Sequence, residues 1–242
     1  MAIIYGVNPV LEALRGRNRP VERIAIAHGT RIVRFDELMR MAKVAGIPVA
    51  RQPAAALDRL ANGRSHQGVV AWVGAAEYAT LDDVLERMSE RPLVVLLDGV
   101  EDPHNLGAIV RTAECAGAAG VVIPERGAAG LTETVAKTSA GALEHLPVAR
   151  VTNLVNAIEA LKGAGAWVVG LEAGAKTIYT GYDFSGPTAL VFGGEGKGLR
   201  RLVRERCDIL VSIPLLGQIE SLNVSVTVGV VLFEAVRQRS GA

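Results

Sequence analysis

Apolar and polar positions follow two different rhythms along the chain, and the change between them divides it. Residues 21–27 (VERIAIA) alternate with the period of a half-buried strand, and 34–45 place Phe35, Leu38, Met39 and Ala42 on one side of a helix. Residues 47–49 and 68–73 read as two more short strands, and 54–60 as another helix. An earlier helix is expected over 6–16, with Asn8 as its N-cap, Pro9 at the first helical position and Gly16 as its stop. These elements make a small α/β domain over residues 1–74. Residues 75–91 are acidic and helical in pattern, with Thr80 capping 81–88, and read as a linker with the leading helix of a second domain.

From residue 92 the rhythm changes. PLVVLLDGV (92–100) is apolar at nearly every position, as in a parallel strand covered on both faces. Helices are expected over 105–118, 137–142 and 154–162, and strands over 120–123, 166–171, 188–192 and 209–213. The last segment sends conflicting signals. Val224, Val226, Val228 and Val230 alternate with small residues like a strand, whereas Ser221 and Asn223 are good caps and LFEAVRQR ends in the basic turn that suits a helix. Length and ending favour the helix. The fold class is therefore α/β, with a second domain over 92–242 built on a mostly parallel sheet.

Composition agrees with this reading. Half of the 242 residues are apolar, glycine is abundant (27) and aromatics make up only 4%. The two cysteines, Cys115 and Cys207, stand far apart in apolar contexts, so a disulfide scaffold is not expected and a reducing cytoplasm is. No stretch approaches the length of a membrane span, and the start lacks the pattern of a secretory signal. Net charge is only +1, yet residues 1–74 carry 11 Lys+Arg against 5 Asp+Glu while 75–242 carry 15 against 20. A basic module joined to a mildly acidic one suits nucleic-acid docking beside a chemistry domain.

Three polar or glycine-rich segments each follow an expected strand, where α/β proteins place ligands. The first is DPHNLGAIVRT (102–112), in which Asn105 suits a helix cap and Arg111 is a charge on a largely apolar helix. Arg111 reads either as a structural ion pair or as a contact to phosphate or ribose. The second, FGGEGKGL (192–199), lacks both the Walker A spacing and the dinucleotide fingerprint; it is a flexible loop presenting Glu195. The third, IPLLGQIESLN (213–223), joins a strand to the last helix and contains Ser221 and Asn223. The four histidines and two cysteines have no metal-ligand spacing, so no metal is expected. Hydrolase and redox motifs are absent from the sequence.

In order and spacing, DPHNLGAIVRTAECAG (102–117), LVFGGEGKGL (190–199) and IPLLGQIESLNVSVTVGVVLFEAVRQR (213–239) resemble the three motifs of the SpoU/TrmH family of RNA 2'-O-ribose methyltransferases, part of the SPOUT superfamily. The N-terminal module, beginning YGVNPVLEAL (5–14), is similar to the L30e-like substrate-binding domain of the RlmB branch, the 23S rRNA guanosine 2'-O-methyltransferases. The resemblance implies a deep trefoil knot in the second domain, S-adenosylmethionine as cofactor, RNA (most specifically 23S rRNA) as substrate, and a homodimer. It also implies cofactor contacts near Gly193, Gly194, Ile213 and Leu222, with Leu171 bordering the pocket. The catalytic set it implies is Asn105, Arg111, Glu195, Ser221 and Asn223, with Arg111 central. Where family members often have Asn before the Glu-Gly pair, this chain has Gly194.

A guanidinium stays protonated under almost all conditions, so Arg111 would act in one of two ways. It would lose its proton transiently beside a phosphate, or clamp that phosphate and stabilise the developing alkoxide. A tRNA-directed enzyme of the same chemistry, an enzyme acting on another rRNA nucleoside and a non-catalytic RNA-binding protein are the rival readings.

Overall fold

The computed structural model describes residues 2–16, 19–29, 31–74, 76–196 and 198–240. Along the chain the elements begin with β1 (Ala2–Tyr5), α1 (Val7–Arg15), β2 (Val21–Ala27), α2 (Phe35–Val44), β3 (Val49–Gln52), α3 (Ala54–Leu60) and β4 (Val69–Val73). Next come α4 (Leu81–Glu86), β5 (Leu93–Asp98), α5 (Pro103–Cys115), β6 (Gly120–Pro124), α6 (Glu133–Thr138) and β7 (Val148–Val151). The last are α7 (Leu154–Gly163), β8 (Trp167–Leu171), β9 (Thr177–Ile178), β10 (Thr188–Gly193), α8 (Arg201–Arg206), β11 (Ile209–Ser212) and α9 (Val224–Ser240).

These fall into two compact units, one of Met1–Glu77 with Leu131–His145, the other of Tyr78–Gly130 with Leu146–Ala242. The division differs from the boundaries expected above: the first unit runs on to Glu77, and Leu131–His145, with α6, belongs to it. A reason is visible in the side chains. Arg19 and Glu144 form an ion pair at 4% and 1% side-chain exposure, with Arg19 Nε donating to Glu144 Oε1 at 2.9 Å. His145 Nε2 lies 2.9 Å from Glu12 Oε2. Breaking a buried pair leaves an uncompensated charge, so the segment is tied where its partners are.

The first unit has a four-stranded sheet in the order β1-β4-β2-β3, antiparallel except for β2 beside β3. Ile24 and Ile26 face α1 and α2 in one core, while Ala25 and Ala27 face Leu57 of α3 in another, as strand alternation requires. Helix α1 begins after Gly6 at φ 99°, not after an Asn8 cap; Asn8 lies inside its first turn. Strand β3 starts two residues later than the sequence pattern suggests, because its register is set by pairing Ile24 with Val49.

The second unit has a seven-stranded sheet in the order β7-β6-β5-β10-β8-β11-β9, with every pair parallel. Val94 and Leu96 of β5 and Val191 of β10 pack with Leu154, Ile158 and Leu161 of α7, and α4 and α8 contribute Val84 and Val203. Helices α5 and α9 pack together, α9 also touching β10. Helix α9 settles the conflicting valine pattern: Val224, Val228, Val231, Leu232 and Ala235 are buried at helical spacing, whereas Val226 is half exposed. Thr80 caps α4 in a full capping box with Asp83. Helix α5 is capped by Asp102, whose side chain accepts from the His104 N–H at 2.8 Å, so Asn105 is not its cap. Among the described residues, no helix is long and apolar enough to cross a membrane.

Candidate functional site

A parallel sheet directs its loops to one edge, and here the loops after β8, β10 and β11 converge at the C-terminal ends of the strands. They enclose a cavity of about 680 Å³ within the second unit. Leu171 closes β8, Gly193 ends β10 with Gly194 just after it, and Ile213 follows β11; all four line the cavity, as does Leu222 from the last loop. Glu195, Ser221 and Asn223 line it too. Phe192, Leu215 and Thr227 contribute further wall, and these the sequence reading did not single out.

The glycine-rich loop owes its path to close backbone contacts. A Cβ at Gly193 would overlap the backbone of Gly198, and one at Gly194 would overlap the Gly99 carbonyl. At position 194 any side chain, asparagine included, would force this backbone to shift. The loop folds back on itself, Gly198 N–H donating to the Gly194 carbonyl at 3.2 Å. Lys197 lies outside the described residues.

Three of the five expected catalytic residues meet at one point. Asn105, 8% exposed in the first turn of α5, donates through Nδ2 to Glu195 Oε1 and accepts from Asn223 Nδ2 at 3.0 Å. Asn223 Nδ2 also stands 3.4 Å from Glu195 Oε1. The other end of the Asn223 amide caps α9, Oδ1 accepting from Ser225 N–H at 2.9 Å and Ser225 Oγ at 2.6 Å. One amide thus caps α9 and joins its own loop to α5 and to the glycine-rich loop. Ser221 is exposed at the cavity mouth. Arg111 stands apart from this cluster. It is exposed on α5, about 9 Å along the axis from Asn105, and does not line the cavity. Its side chain makes no ion pair or hydrogen bond with any described residue, so the structural-salt-bridge reading has no partner to rest on.

The cavity is acidic. Glu172, Glu195 and Glu220 line it, and no Lys or Arg does among the described residues. Arg204 Nε offsets Glu172 Oε2 from 2.6 Å. Behind β8, burial pushes the Cys207 thiol up to about 12, which makes it an inert packing group. Among the described residues no cluster of His, Cys, Asp or Glu could hold a metal ion.

In the first unit, two cations of the basic surplus rest on aromatic rings and a third meets a phenol hydroxyl. The Arg23 guanidinium lies 4.0 Å from the Trp72 ring centre and that of Arg51 lies 5.8 Å from Phe35. Arg64 donates to the Tyr5 hydroxyl at 3.0 Å. Such placement leaves charge available to an incoming anion, whereas Arg15 and Arg34 are occupied by Glu37.

Comparison with known proteins decides the lineage. Residues 92–233 match the SpoU rRNA Methylase family, and residues 3–79 match the family described as RNA 2'-O ribose methyltransferase substrate binding. The chain belongs to the SpoU rRNA methylase family. It is 46% identical to YacO of Bacillus subtilis, assigned to the TrmH family of tRNA/rRNA methyltransferases, over 98% of this chain and 96% of that one. It is 44% identical to the 23S rRNA (guanosine-2'-O-)-methyltransferase RlmB of Pseudomonas putida, again over 98% and 96%. The crystal structure of the SpoU methyltransferase AviRb from Streptomyces viridochromogenes with its cofactor AdoMet superposes with a TM-score of 0.80 at 28% identity, covering 99% of this chain and 91% of AviRb. The second unit thus carries the trefoil-knotted fold typical of SpoU enzymes, and the first their substrate-binding domain. This SpoU protein is an RNA 2'-O-ribose methyltransferase.

Proposed function

We propose that this SpoU enzyme methylates the 2'-hydroxyl of a guanosine in 23S rRNA, with S-adenosylmethionine as donor, and that it works as a homodimer in the cytoplasm. The observation that carries the reading is the cavity of about 680 Å³ at the strand ends, beside the Asn105–Glu195–Asn223 cluster. Its size is that of a small-molecule site, and its apolar walls from Leu171, Phe192, Ile213 and Leu222 suit an adenine ring. The glutamates suit a ligand carrying a sulfonium and an ammonium, and AviRb, alike over nearly the whole chain, binds the same cofactor. S-adenosylmethionine supplies an activated methyl group on a sulfonium, which leaves as a neutral thioether, so the protein needs no acid for the leaving group.

The work left to the chain is to position the ribose and to manage the proton of its 2'-hydroxyl. Gly193, Gly194, Ile213, Leu222 and Leu171 would frame the cofactor. Asn105, Glu195 and Asn223 would hold the loops in register, with Ser221 at the mouth where the ribose enters. Arg111, exposed and unpaired among the described residues, is free to take a phosphate in its planar fork and to stabilise charge developing on the attacking oxygen. The dimer is supported by Val226 and Phe233, exposed seven residues apart on one side of α9.

The guanosine and the 23S rRNA rest on the similarity to Pseudomonas putida RlmB and on the substrate-binding domain. Mapping ribose methylation across total RNA from cells with and without the gene tests them. Loss of one 2'-O-methylguanosine in 23S rRNA is the expected result, and loss of a tRNA mark with rRNA unchanged would move the substrate to tRNA. Calorimetry tests the cofactor, with S-adenosylmethionine binding and NAD not.

A further inference from the structure

Strand β5 is apolar from Leu93 to Leu97 and then ends in a carboxylate, Asp98, that is only 2% exposed. A buried charge is costly unless it is paired and hydrogen-bonded, so its partners define its purpose. The Asp98 backbone carbonyl accepts from Gly194 N–H at 2.8 Å. Its Oδ2 accepts from Arg200 N–H at 2.7 Å, and Oδ1 lies 3.0 Å from Arg200 Nε, in charge contact without hydrogen-bond alignment. Gly194 and Arg200 are the two ends of the glycine-rich loop. Between them stand Glu195, Gly196 and Gly198, which line the cavity.

We propose that Asp98 is a positioning residue that fixes both ends of the glycine-rich loop and so sets the shape of the cofactor cavity. It does not line the cavity and acts through the loop. A segment with glycines at 194, 196 and 198 has many backbone conformations to lose on ordering. Within itself the loop has the Gly198-to-Gly194 bond at 3.2 Å. Asp98 limits that freedom by tying residue 194 through its main chain and residue 200 through its side chain, the two residues that flank the Glu195 stretch. The inference rests on the reading of the cavity as the S-adenosylmethionine site.

The test uses the full-length protein with Asp98→Asn, Asp98→Ala and Arg200→Ala. In D98N the new amide can accept from the Arg200 N–H but turns its own N–H toward the guanidinium. This variant should bind S-adenosylmethionine about tenfold more weakly, the worth of one charge-assisted hydrogen bond. D98A should lose more, and R200A, which keeps the backbone amide, should stay within about threefold. Amide hydrogen exchange over 194–200 should quicken in D98N while the β5 and β10 amides keep their protection, and RNA affinity without cofactor should not change. D98N binding the cofactor within about twofold of wild type, or losing protection uniformly across both strands, would overturn the proposal. If D98A does not fold, D98N decides. If the wild-type protein itself fails to bind S-adenosylmethionine, the cofactor reading falls, and exchange over 194–200 in D98N still decides whether Asp98 clamps the loop.

Discussion

Helix α5 carries two polar side chains that the proposed reaction needs, and the fold treats them differently. Asn105 is buried and committed: both ends of its amide are hydrogen-bonded, to Glu195 and to Asn223. Arg111, six residues on, is exposed and makes no side-chain bond to any described residue. The difference teaches how labour is divided. The chain completes the framework beside its cofactor cavity by itself, because unsatisfied amides there would cost stability. It leaves its charged group uncommitted, because a guanidinium already paired to a carboxylate would have to break that pair before holding a phosphate.

The largest expected effect falls on the uncommitted side. Arg111→Ala and Arg111→Lys should each slow methyl transfer by roughly a hundredfold or more, about 3 kcal/mol, since lysine lacks the planar fork. Cofactor affinity and melting temperature should hardly move. Single-turnover transfer at saturating cofactor measures this, and a well-folded R111A protein working at near wild-type rate removes Arg111 from the mechanism.

On the committed side the pattern should invert. Asn105→Ala strands Glu195 and Asn223 and should cost about 1–3 kcal/mol of stability with weaker cofactor binding. A melting curve beside a calorimetric titration checks it; N105A with normal stability and affinity would mean that the cluster does not hold the cavity.

The two cysteines report on the same contrast. Cys115 is exposed at the end of α5, one turn past Arg111, and Cys207 is half-buried behind Gly170 of β8. At about pH 8 alkylation should modify Cys115 at least ~10-fold faster than Cys207, whose thiol burial pushes up to about 12. Peptide mass spectrometry over a time course reads the ratio, and equal rates would show the sheet region to be as open as α5.

The last expected effect appears only in alkali. Burial raises both Cys207 and Tyr182 to about 12. The unfolded chain gives up these protons first, near about 8.5 for a thiol and about 10 for a phenol, so stability falls as pH rises from about 9 toward 12. Thermal melts across that window should decline, and Cys207→Ser should delay the decline toward about pH 10. A flat profile would mean that neither group is desolvated.

Much of this was legible in the chain. The unbroken apolar run of β5 announces a covered parallel strand, and Thr80 announces the cap of α4. Two of the three loops that line the cavity, those after β10 and β11, stand in sequence as glycine-rich or polar segments after strands; beside β8 the resemblance marks only Leu171, and the 102–112 segment does not line the cavity. Contacts between distant residues were not legible. Asn105 is a residue type that suits a helix cap, and nothing local reveals that it meets Glu195 and Asn223, 90 and 118 positions away. Helix α8 buries only Val203 among its six residues, so its pattern is too weak to read. Strand β1, AIIY, is too short to show a period and forms because it pairs with β4. The Asp98–Arg200 clamp spans 102 positions, and its sole local trace is an acid closing an apolar strand.

The ion pair between Arg19 and Glu144 also bears on when the first unit can be completed as the chain is made. The two residues are 125 positions apart, and both belong to the first unit. A ribosome adding about 5–20 residues per second delivers Glu144 roughly 6–25 s after Arg19. During that interval the four strands of the first unit are completed by Val73 and α6 follows only at Glu133–Thr138, while a guanidinium destined for burial still lacks its partner. The first unit therefore reaches its final form only after β5 and β6 of the second have been synthesised. In the full-length protein Glu144→Ala leaves Arg19 unpaired, so its melting temperature measures how much this late-arriving partner contributes.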